Sequence, residues 1–226
     1  MKTHINKISN KLQQLHSKLE QDPNQKKDID FSLDFIPPYS KATNIKDIKL
    51  IILGQDPTVR REASRKEIKK TLNLDKSGSL RTYIQLICNR LNIDLDKEVY
   101  ATNLYKCFFH LPPADHPQIL INHREQWLSF LKEELTVFDD TIPIITLGEP
   151  LLKQLVTSKH KKVSYYWDYI GYSTSNKDFK KVDSPDNLLN RTIFPLAHQP
   201  SWSRKKFYKN YLVDYLSFLN SNYKIY

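Results

Sequence analysis

The 226-residue sequence has only two cysteines, four glycines and no apolar run long enough to cross a membrane. Two cysteines are too few for a disulfide framework or a four-thiolate metal cluster, so we expect Cys88 and Cys107 to be small buried side chains in a reducing compartment. A membrane helix would need about 18 consecutive apolar residues. The N-terminal stretch also lacks the apolar core of a signal peptide. These absences predict a cytoplasmic protein without a membrane partner.

Glycine is scarce and proline is common, with four and twelve residues, which indicates rigid and well-defined loops. Hydrophobic residues make up 39% of the chain and aromatic residues 12%, a composition typical of a globular domain. The sequence contains no internal repeat, low-complexity tract or convincing domain boundary. It therefore predicts a single domain over residues 1–226, with an N-terminal helix at 4–20 and a core over 37–219.

The formal net charge is +10, and the positive residues are clustered. One cluster lies in residues 58–70 and includes Arg60 and Arg61, a second spans 159–162, and a third begins at Arg204. Such clusters suit a phosphate backbone, although a solvated basic surface is an equally ordinary explanation. Two of the three clusters directly follow candidate site motifs, which favours a nucleic-acid partner.

Four short apolar stretches have the composition of buried strands and alternate with segments of helical periodicity. The strands are predicted at 50–53, 99–103, 142–147 and 192–197, and the helices at 4–20, 64–70, 79–91, 119–135, 151–156 and 203–219. The aromatic run 165–167 is compatible with an edge strand. This alternation predicts an α/β fold in a single domain, with a central four-stranded, mainly parallel sheet flanked by helices on both faces.

Three of the four predicted strands end on polar side chains. Gln55 and Asp56 follow the first strand, Asn103 ends the second, and His198 follows the fourth. Parallel strands bring their carboxyl ends to one edge of the sheet, where ligands bind in open α/β folds, so we expect these residues to converge. Each residue alone has an ordinary explanation, such as a turn, a cap or a core histidine. Their shared position favours a site.

The segment Ile48-Lys-Leu-Ile-Ile-Leu-Gly-Gln-Asp-Pro57 resembles the water-activating motif of the uracil-DNA glycosylase superfamily, including its strand lead-in. Ser79-Leu-Arg81 is similar to that family's phosphate-contacting segment, and Val99-Tyr-Ala-Thr-Asn103 is similar to its base-reading strand. His198-Gln-Pro-Ser201 resembles the loop that closes the site and enters the minor groove. The resemblance spans residues 37–219 in the family's order and is closest to the cofactor-free branch.

The resemblance implies hydrolysis of the N-glycosidic bond of uracil flipped out of DNA, in base excision repair, without a metal or other cofactor. It implies that Asp56 and His198 are catalytic: Asp56 would orient a water and stabilise a cationic sugar, and His198 would donate to the departing base. The implied base contacts are Gln55, Asn103 and Thr58. The DNA contacts that we expect are Ser79, Arg81, Pro200, Ser201, Trp202, Arg204, Arg60 and Arg61, with Ser201 and Trp202 as the wedge that fills the gap.

The sequence departs from the best-known branch at three points. Thr58 stands where that branch has a tyrosine that blocks the thymine methyl group, so we expect a pocket that also admits thymine or 5-substituted uracils. The segment after the first motif has no aromatic residue to stack on the base, so the stacking group is missing, aliphatic (Leu72 or Leu74) or supplied from elsewhere. Gln199 is an extra residue in the closing loop and could shift His198.

We expect a monomer whose partner is uracil-containing DNA, single- or double-stranded. The resemblance also implies an acidic inhibitor protein that mimics DNA as a second partner, and the net charge of +10 is compatible with it. Two other functions stay open: a catalytically weak or inactive glycosylase-fold scaffold that docks on DNA during replication, and a glycosylase for another modified base, for example in defence against phage. The presence of both Asp56 and His198 favours catalysis, since docking needs neither.

Overall fold

A computed structural model describes residues 1–59, 61–169, 171 and 175–223 of the chain. Within these residues, four parallel strands form one sheet in the order β2-β1-β3-β4. The strands are β1 (Leu50–Gly54), β2 (Val99–Asn103), β3 (Ile144–Leu147) and β4 (Ile193–Leu196). Every strand residue is buried, as expected for a parallel sheet covered on both faces. The predicted α/β fold is confirmed.

The described part of the chain also forms nine α-helices, and the longer ones bury apolar side chains in the core. They are α1 (Lys2–Leu19), α2 (Pro23–Lys26), α3 (Glu62–Arg65), α4 (Ser79–Arg90), α5 (Gln118–Leu135), α6 (Glu149–Leu155), α7 (Val163–Tyr166), α8 (Gln199–Arg204) and α9 (Lys206–Tyr223). Over the same residues, no helix combines the length and apolar character needed to cross a membrane.

The interpretation of residues 165–167 as an edge strand was wrong. This run belongs to helix α7 and the residue after it, and the Trp167 indole Nε1 donates to the Pro195 carbonyl at 2.7 Å. Trp167 also stacks on Tyr215 of α9, with ring centroids 4.6 Å apart. Trp167 therefore packs between β4 and α9, whereas Tyr165 is exposed and stacks on His160.

Two helix boundaries also differ from the sequence prediction. The helix expected over 64–70 is only the single turn α3, which ends at Arg65. The helix expected over 203–219 begins earlier, as α8, and is interrupted at Lys205, whose ψ of 105° is extended. The chain therefore enters the last helix through a bend directly after the predicted closing loop.

Both cysteines are buried and free, as the sequence predicted. Burial raises the pKa of Cys88 to about 12 and raises the pKa of Cys107 well above its ordinary value. The two thiols therefore remain protonated at neutral pH and act as small apolar side chains.

Strands β1 and β2 approach closely at their carboxyl ends. Gly54 pairs in register with Asn103, and a Cβ at position 54 would lie 2.3 Å from Asn103 Oδ1 and 2.6 Å from Leu72 Cδ2. Both distances are far inside van der Waals contact, so a side chain at position 54 would displace Asn103 or Leu72. Glycine is needed here because two neighbouring side chains occupy the space that a Cβ would take.

We expect Gly54→Ala to lower the free energy of unfolding by about 1–3 kcal/mol, since it overpacks a buried position. Gly78→Ala is the matched control, because no described atom lies within 4 Å of a Cβ at position 78 and its φ of 166° is extended backbone. Urea unfolding followed by tryptophan fluorescence measures both variants. Equal destabilisation by the two substitutions would contradict the close packing at Gly54.

Candidate active site

The carboxyl ends of the four strands form one edge of the sheet. Asn103 ends β2, Gln55 and Asp56 follow β1, and His198 lies two residues after β4. Neighbouring strands in a sheet are about 4.8 Å apart, so the edge from β2 to β4 spans three such spacings and has room for a nucleobase and its sugar. The structure thus brings these four predicted site residues to one edge.

Asn103 is the most unusual polar residue at this edge. Its side chain is 0% exposed, yet neither Oδ1 nor Nδ2 has a hydrogen-bond partner among the described residues. A buried polar group without a partner costs about 1–3 kcal/mol. Because native proteins rarely retain such groups, an unpaired amide at a sheet edge indicates a ligand that presents one donor and one acceptor.

Asp56 is half-buried and held by two donors. The backbone N–H of Thr58 donates to Oδ1 at 2.7 Å, and Gln55 Nε2 donates to Oδ2 at 2.6 Å. Burial raises the pKa of Asp56, and the hydrogen bonds from Thr58 and Gln55 offset part of that shift. The carboxyl group is therefore both oriented and poorly solvated, which suits a carboxylate that binds water and interacts with positive charge.

Thr58 and Arg65 join the loop after β1 to the segment after β2. Thr58 Oγ1 accepts from the Phe109 N–H at 3.0 Å. Arg65 is only 3% exposed, and its guanidinium donates to the carbonyls of Val59 and Phe109, both at 3.0 Å. Arg65 belongs to the first basic cluster in the sequence. In the structure its guanidinium group is buried and links these two loops, so it is not exposed to a phosphate.

His198 lies at the end of β4 and is exposed to solvent. A Cβ on Gly148, the residue after β3, would lie 3.2 Å from the Cβ of His198, so the glycine leaves room for the histidine. The surrounding protein still desolvates the ring and lowers the pKa of His198 below its ordinary value. The imidazole is therefore neutral at neutral pH and can donate one N–H. Gln199 begins α8 directly after it.

Leu72 supplies an aliphatic surface next to Gly54 and Asn103. It is half-buried, and its φ of 56° is left-handed, a conformation that leucine rarely adopts. Strained backbone of this kind is often found at functional sites. Leu74, the other aliphatic candidate for stacking on a base, is 0% exposed in the core. Leu72 is therefore the aliphatic candidate that reaches the edge beside Asn103.

Several predicted DNA contacts are accessible. Ser79 is exposed at the first position of α4, where none of the described side chains caps the free N–H groups. Ser201 and Arg204 are exposed on α8. Trp202 is half-buried and stacks on Tyr83 of α4, with ring centroids 4.8 Å apart. The stacked pair places the start of α4 beside α8.

Arg81 is engaged within the protein. Its Nη2 forms an ion pair with Asp96 Oδ1 at 3.0 Å, and its Nη1 donates to the Tyr39 hydroxyl at 3.1 Å. This geometry weakens the prediction that Arg81 contacts DNA. The remaining predicted contacts are Arg61, which is exposed, and two that lie outside the described residues, namely Arg60 and the side chain of Pro200.

The sequence analysis missed the buried ion pair of Lys106 and Glu134, which lies directly behind Asn103. Lys106 Nζ lies 2.7 Å from Glu134 Oε2, and both side chains are 0% exposed. The one local signal is that Lys106 stands in a strongly apolar and aromatic stretch, three residues after Asn103. No sequence pattern pairs it with Glu134, because the two residues lie in different elements.

The family model described as Uracil DNA glycosylase superfamily matches residues 40–220 of the chain. No curated protein matches the chain significantly.

The pKa of Asp56 is raised in the folded protein. Over a range of pH, the Asp56 carboxyl group is therefore protonated in the folded protein and ionised in the unfolded chain. The carboxyl group therefore contributes stability below its unfolded pKa of 3.8, and this contribution is lost as the pH rises through the folded pKa. We expect Asp56→Asn to remove this loss, so that the variant gains stability relative to the wild type as the pH rises above the unfolded pKa of 3.8. Urea unfolding at a series of pH values measures the trend.

Asp139→Asn is the matched control. Asp139 accepts from the Thr141 N–H at 2.8 Å and from Thr141 Oγ1 at 2.6 Å, a similar local arrangement on an exposed residue. These hydrogen bonds lower the pKa of Asp139, so its stabilising contribution is present above the unfolded pKa and lost as the pH falls. The Asp139 variant should therefore show the opposite trend. The same trend in both variants would contradict desolvation of Asp56.

Proposed function

The chain belongs to the uracil DNA glycosylase superfamily, and from this premise we propose that it hydrolyses the N-glycosidic bond of uracil, or of a related pyrimidine, flipped out of DNA. Membership of the superfamily supports a DNA glycosylase-type function and a DNA substrate. The observation that carries the choice of base is the fully buried amide of Asn103, which has no hydrogen-bond partner in the described part of the chain.

The Asn103 amide matches the edge of uracil. Its Nδ2 can donate to uracil O4, and its Oδ1 can accept from uracil N3–H. Cytosine presents a donor and an acceptor in the reverse order, so both amide groups would stay unpaired. A site that leaves buried polar groups unpaired rejects the wrong ligand strongly. This discrimination requires that the amide does not rotate by 180°.

The reaction that we propose breaks the bond between C1′ of the deoxyribose and N1 of the base, and the bonding electron pair leaves with the base. Ionised Asp56 orients a water molecule and stabilises the positive charge that develops on the sugar. Neutral His198 donates its N–H to O2 of the departing uracil anion. The water oxygen bonds to C1′, and the proton that it releases ends on uracil. The products are an abasic sugar and the free base.

The exposed groups around the edge suit DNA. The free N–H groups at the start of α4, beside Ser79, suit a phosphate, and so does Arg204. Base flipping leaves a gap in the stack, which Ser201 and Trp202 would fill on α8. Trp202 already stacks on Tyr83. We therefore propose that Ser201 enters the gap first and that Trp202 packs behind it.

We expect Asp56→Ala, His198→Ala and Asn103→Ala each to lower uracil release by about 100-fold or more, since each removes a group that acts on the base or the sugar. The measurement is alkaline strand cleavage of a labelled oligonucleotide with one uracil, placed opposite G, opposite A, or in a single strand. Asp139→Ala, on the exposed surface, is the control with unchanged activity.

The outcomes of this assay separate the rival functions. A wild-type protein that binds DNA in a salt-sensitive way but releases no uracil would contradict the proposal and support a non-catalytic scaffold. Release of a different modified pyrimidine, with the same three variants inactive, would support a glycosylase for another base.

We expect the wild-type protein to release thymine from a T·G mispair as well as uracil from a U·G mispair. Thr58 carries a smaller side chain than tyrosine, and its hydroxyl is already bonded to the Phe109 N–H, so it leaves space for a methyl group at C5 of the base. Single-turnover rates on matched duplexes measure the ratio of the two activities. Efficient cleavage at U·G with no thymine release from T·G would refute this reading of Thr58.

A further inference from the structure

Lys106 and Glu134 form an ion pair close to the carboxyl end of β2, and both side chains are completely buried. Two opposite charges inside a protein lose their hydration, and an apolar pair of similar volume is often as stable or more stable. Stability alone is therefore a weak reason to keep these charges. Their hydrogen bonds indicate a different role.

Both charged groups bond to strand β2 or to its end. Lys106 Nζ donates to the Asn103 carbonyl at 2.5 Å and also to Thr102 Oγ1. Glu134 Oε1 accepts from Thr102 Oγ1 at 2.6 Å and from the Tyr100 hydroxyl at 2.8 Å. Glu134 lies near the end of α5, so these hydrogen bonds link the carboxyl half of β2 to that helix.

The positive charge of Lys106 is stabilised by Glu134. Burial lowers the pKa of the Lys106 ammonium group, and the Glu134 carboxylate at 2.7 Å opposes that shift. The ammonium group donates to the Thr102 hydroxyl and to the Asn103 carbonyl, and it forms an ion pair with Glu134 Oε2 at 2.7 Å. These interactions hold the Lys106 side chain in one orientation.

Asn103 needs its backbone to be held, because among the described residues its amide has no hydrogen bond that would orient it. The peptide group that follows Asn103 is bonded at both ends: its carbonyl accepts from Lys106, and its N–H, on Leu104, donates to the Gly54 carbonyl at 2.9 Å. With this peptide fixed, the amide lies against Gly54, where Asn103 Oδ1 takes the space that a Cβ would need. The orientation of the amide therefore depends on the position of its backbone.

We propose that Lys106, held by Glu134, is the positioning residue for Asn103. It does not touch the base; it fixes the backbone from which the Asn103 amide reads the base. This inference rests on the proposed function of Asn103. It predicts that loss of the ion pair reduces base recognition even where the stability of the protein is kept.

The test compares a single and a double variant. Lys106→Met alone leaves a buried carboxylate without its partner, so the urea midpoint should fall. Lys106→Met combined with Glu134→Gln removes both charges, and the glutamine can still accept from Tyr100 and Thr102. We expect the double variant to regain most of the wild-type midpoint while kcat/KM for uracil stays about 10- to 100-fold low, as for other misplaced site groups. The preference for uracil over cytosine should also fall.

The matched control is Lys49→Met with Glu98→Gln. Lys49 Nζ and Glu98 Oε1 form an ion pair at 2.8 Å, next to the amino ends of the same two strands and away from the site edge. This control should leave kcat/KM and the preference for uracil unchanged. If uracil release by the Lys106–Glu134 double variant recovers together with its stability, the pair is structural and the inference is overturned.

A second readout does not depend on catalysis. The ¹⁵N side-chain amide signal of Asn103, assigned by its loss in Asn103→Ala, should shift or broaden in the Lys106–Glu134 double variant and stay in place in the control. A wild-type protein without glycosylase activity would refute the proposed function and leave this readout to judge the positioning role. An unchanged Asn103 signal in the folded double variant would overturn the inference.

Discussion

The site depends on the close approach of β1 and β2 at Gly54. Asn103 Oδ1 and Leu72 Cδ2 occupy the space that a Cβ would need there, so the absence of a side chain at position 54 brings an amide and an aliphatic group together at the sheet edge. The ladder continues past the strands, since the Tyr105 N–H donates to the Gln55 carbonyl at 2.8 Å. The segments that carry Asn103 and Asp56 therefore cannot move apart independently. Gly148, the residue after β3, likewise lacks the Cβ that would crowd the side chain of His198.

The polar groups at this edge share one energetic property: each has been removed from water without full compensation inside the protein. Burial raises the pKa of Asp56, Asn103 has two unpaired polar atoms among the described residues, and Lys106 with Glu134 forms a fully buried ion pair. Each arrangement carries a desolvation cost, and for Asp56 and Asn103 a bound ligand can supply further interactions. A fold selected for stability alone would replace them, so their concentration behind one sheet edge indicates function.

The sequence was informative where the signal is local. Short apolar runs with β-branched residues predicted the parallel strands, and the ends of three of them then located Asp56, Asn103 and His198. It was uninformative where a contact joins distant elements. Nothing in a basic cluster distinguishes the buried Arg65, which bonds a carbonyl 44 residues away, from an exposed arginine. The aromatic run 165–167 has the composition of a strand, but it ends a short helix and Trp167 packs against β4 and α9. The Lys106–Glu134 pair was missed for the same reason.

The distribution of arginines changes how the positive charge acts on DNA. Arg65 and Arg81 both lie close to the site motifs, and both are engaged inside the protein, Arg65 between two loops and Arg81 in an ion pair with Asp96. These buried or shielded charges add little to phosphate attraction, so the net charge of +10 overstates the part that faces the substrate. Their effect is indirect. Arg81 lies in the first turn of α4, and by anchoring that turn it fixes the direction of the free N–H groups beside Ser79. Arginines engaged inside the protein can therefore orient backbone donors at its surface, while exposed residues such as Arg204 remain accessible to a phosphate.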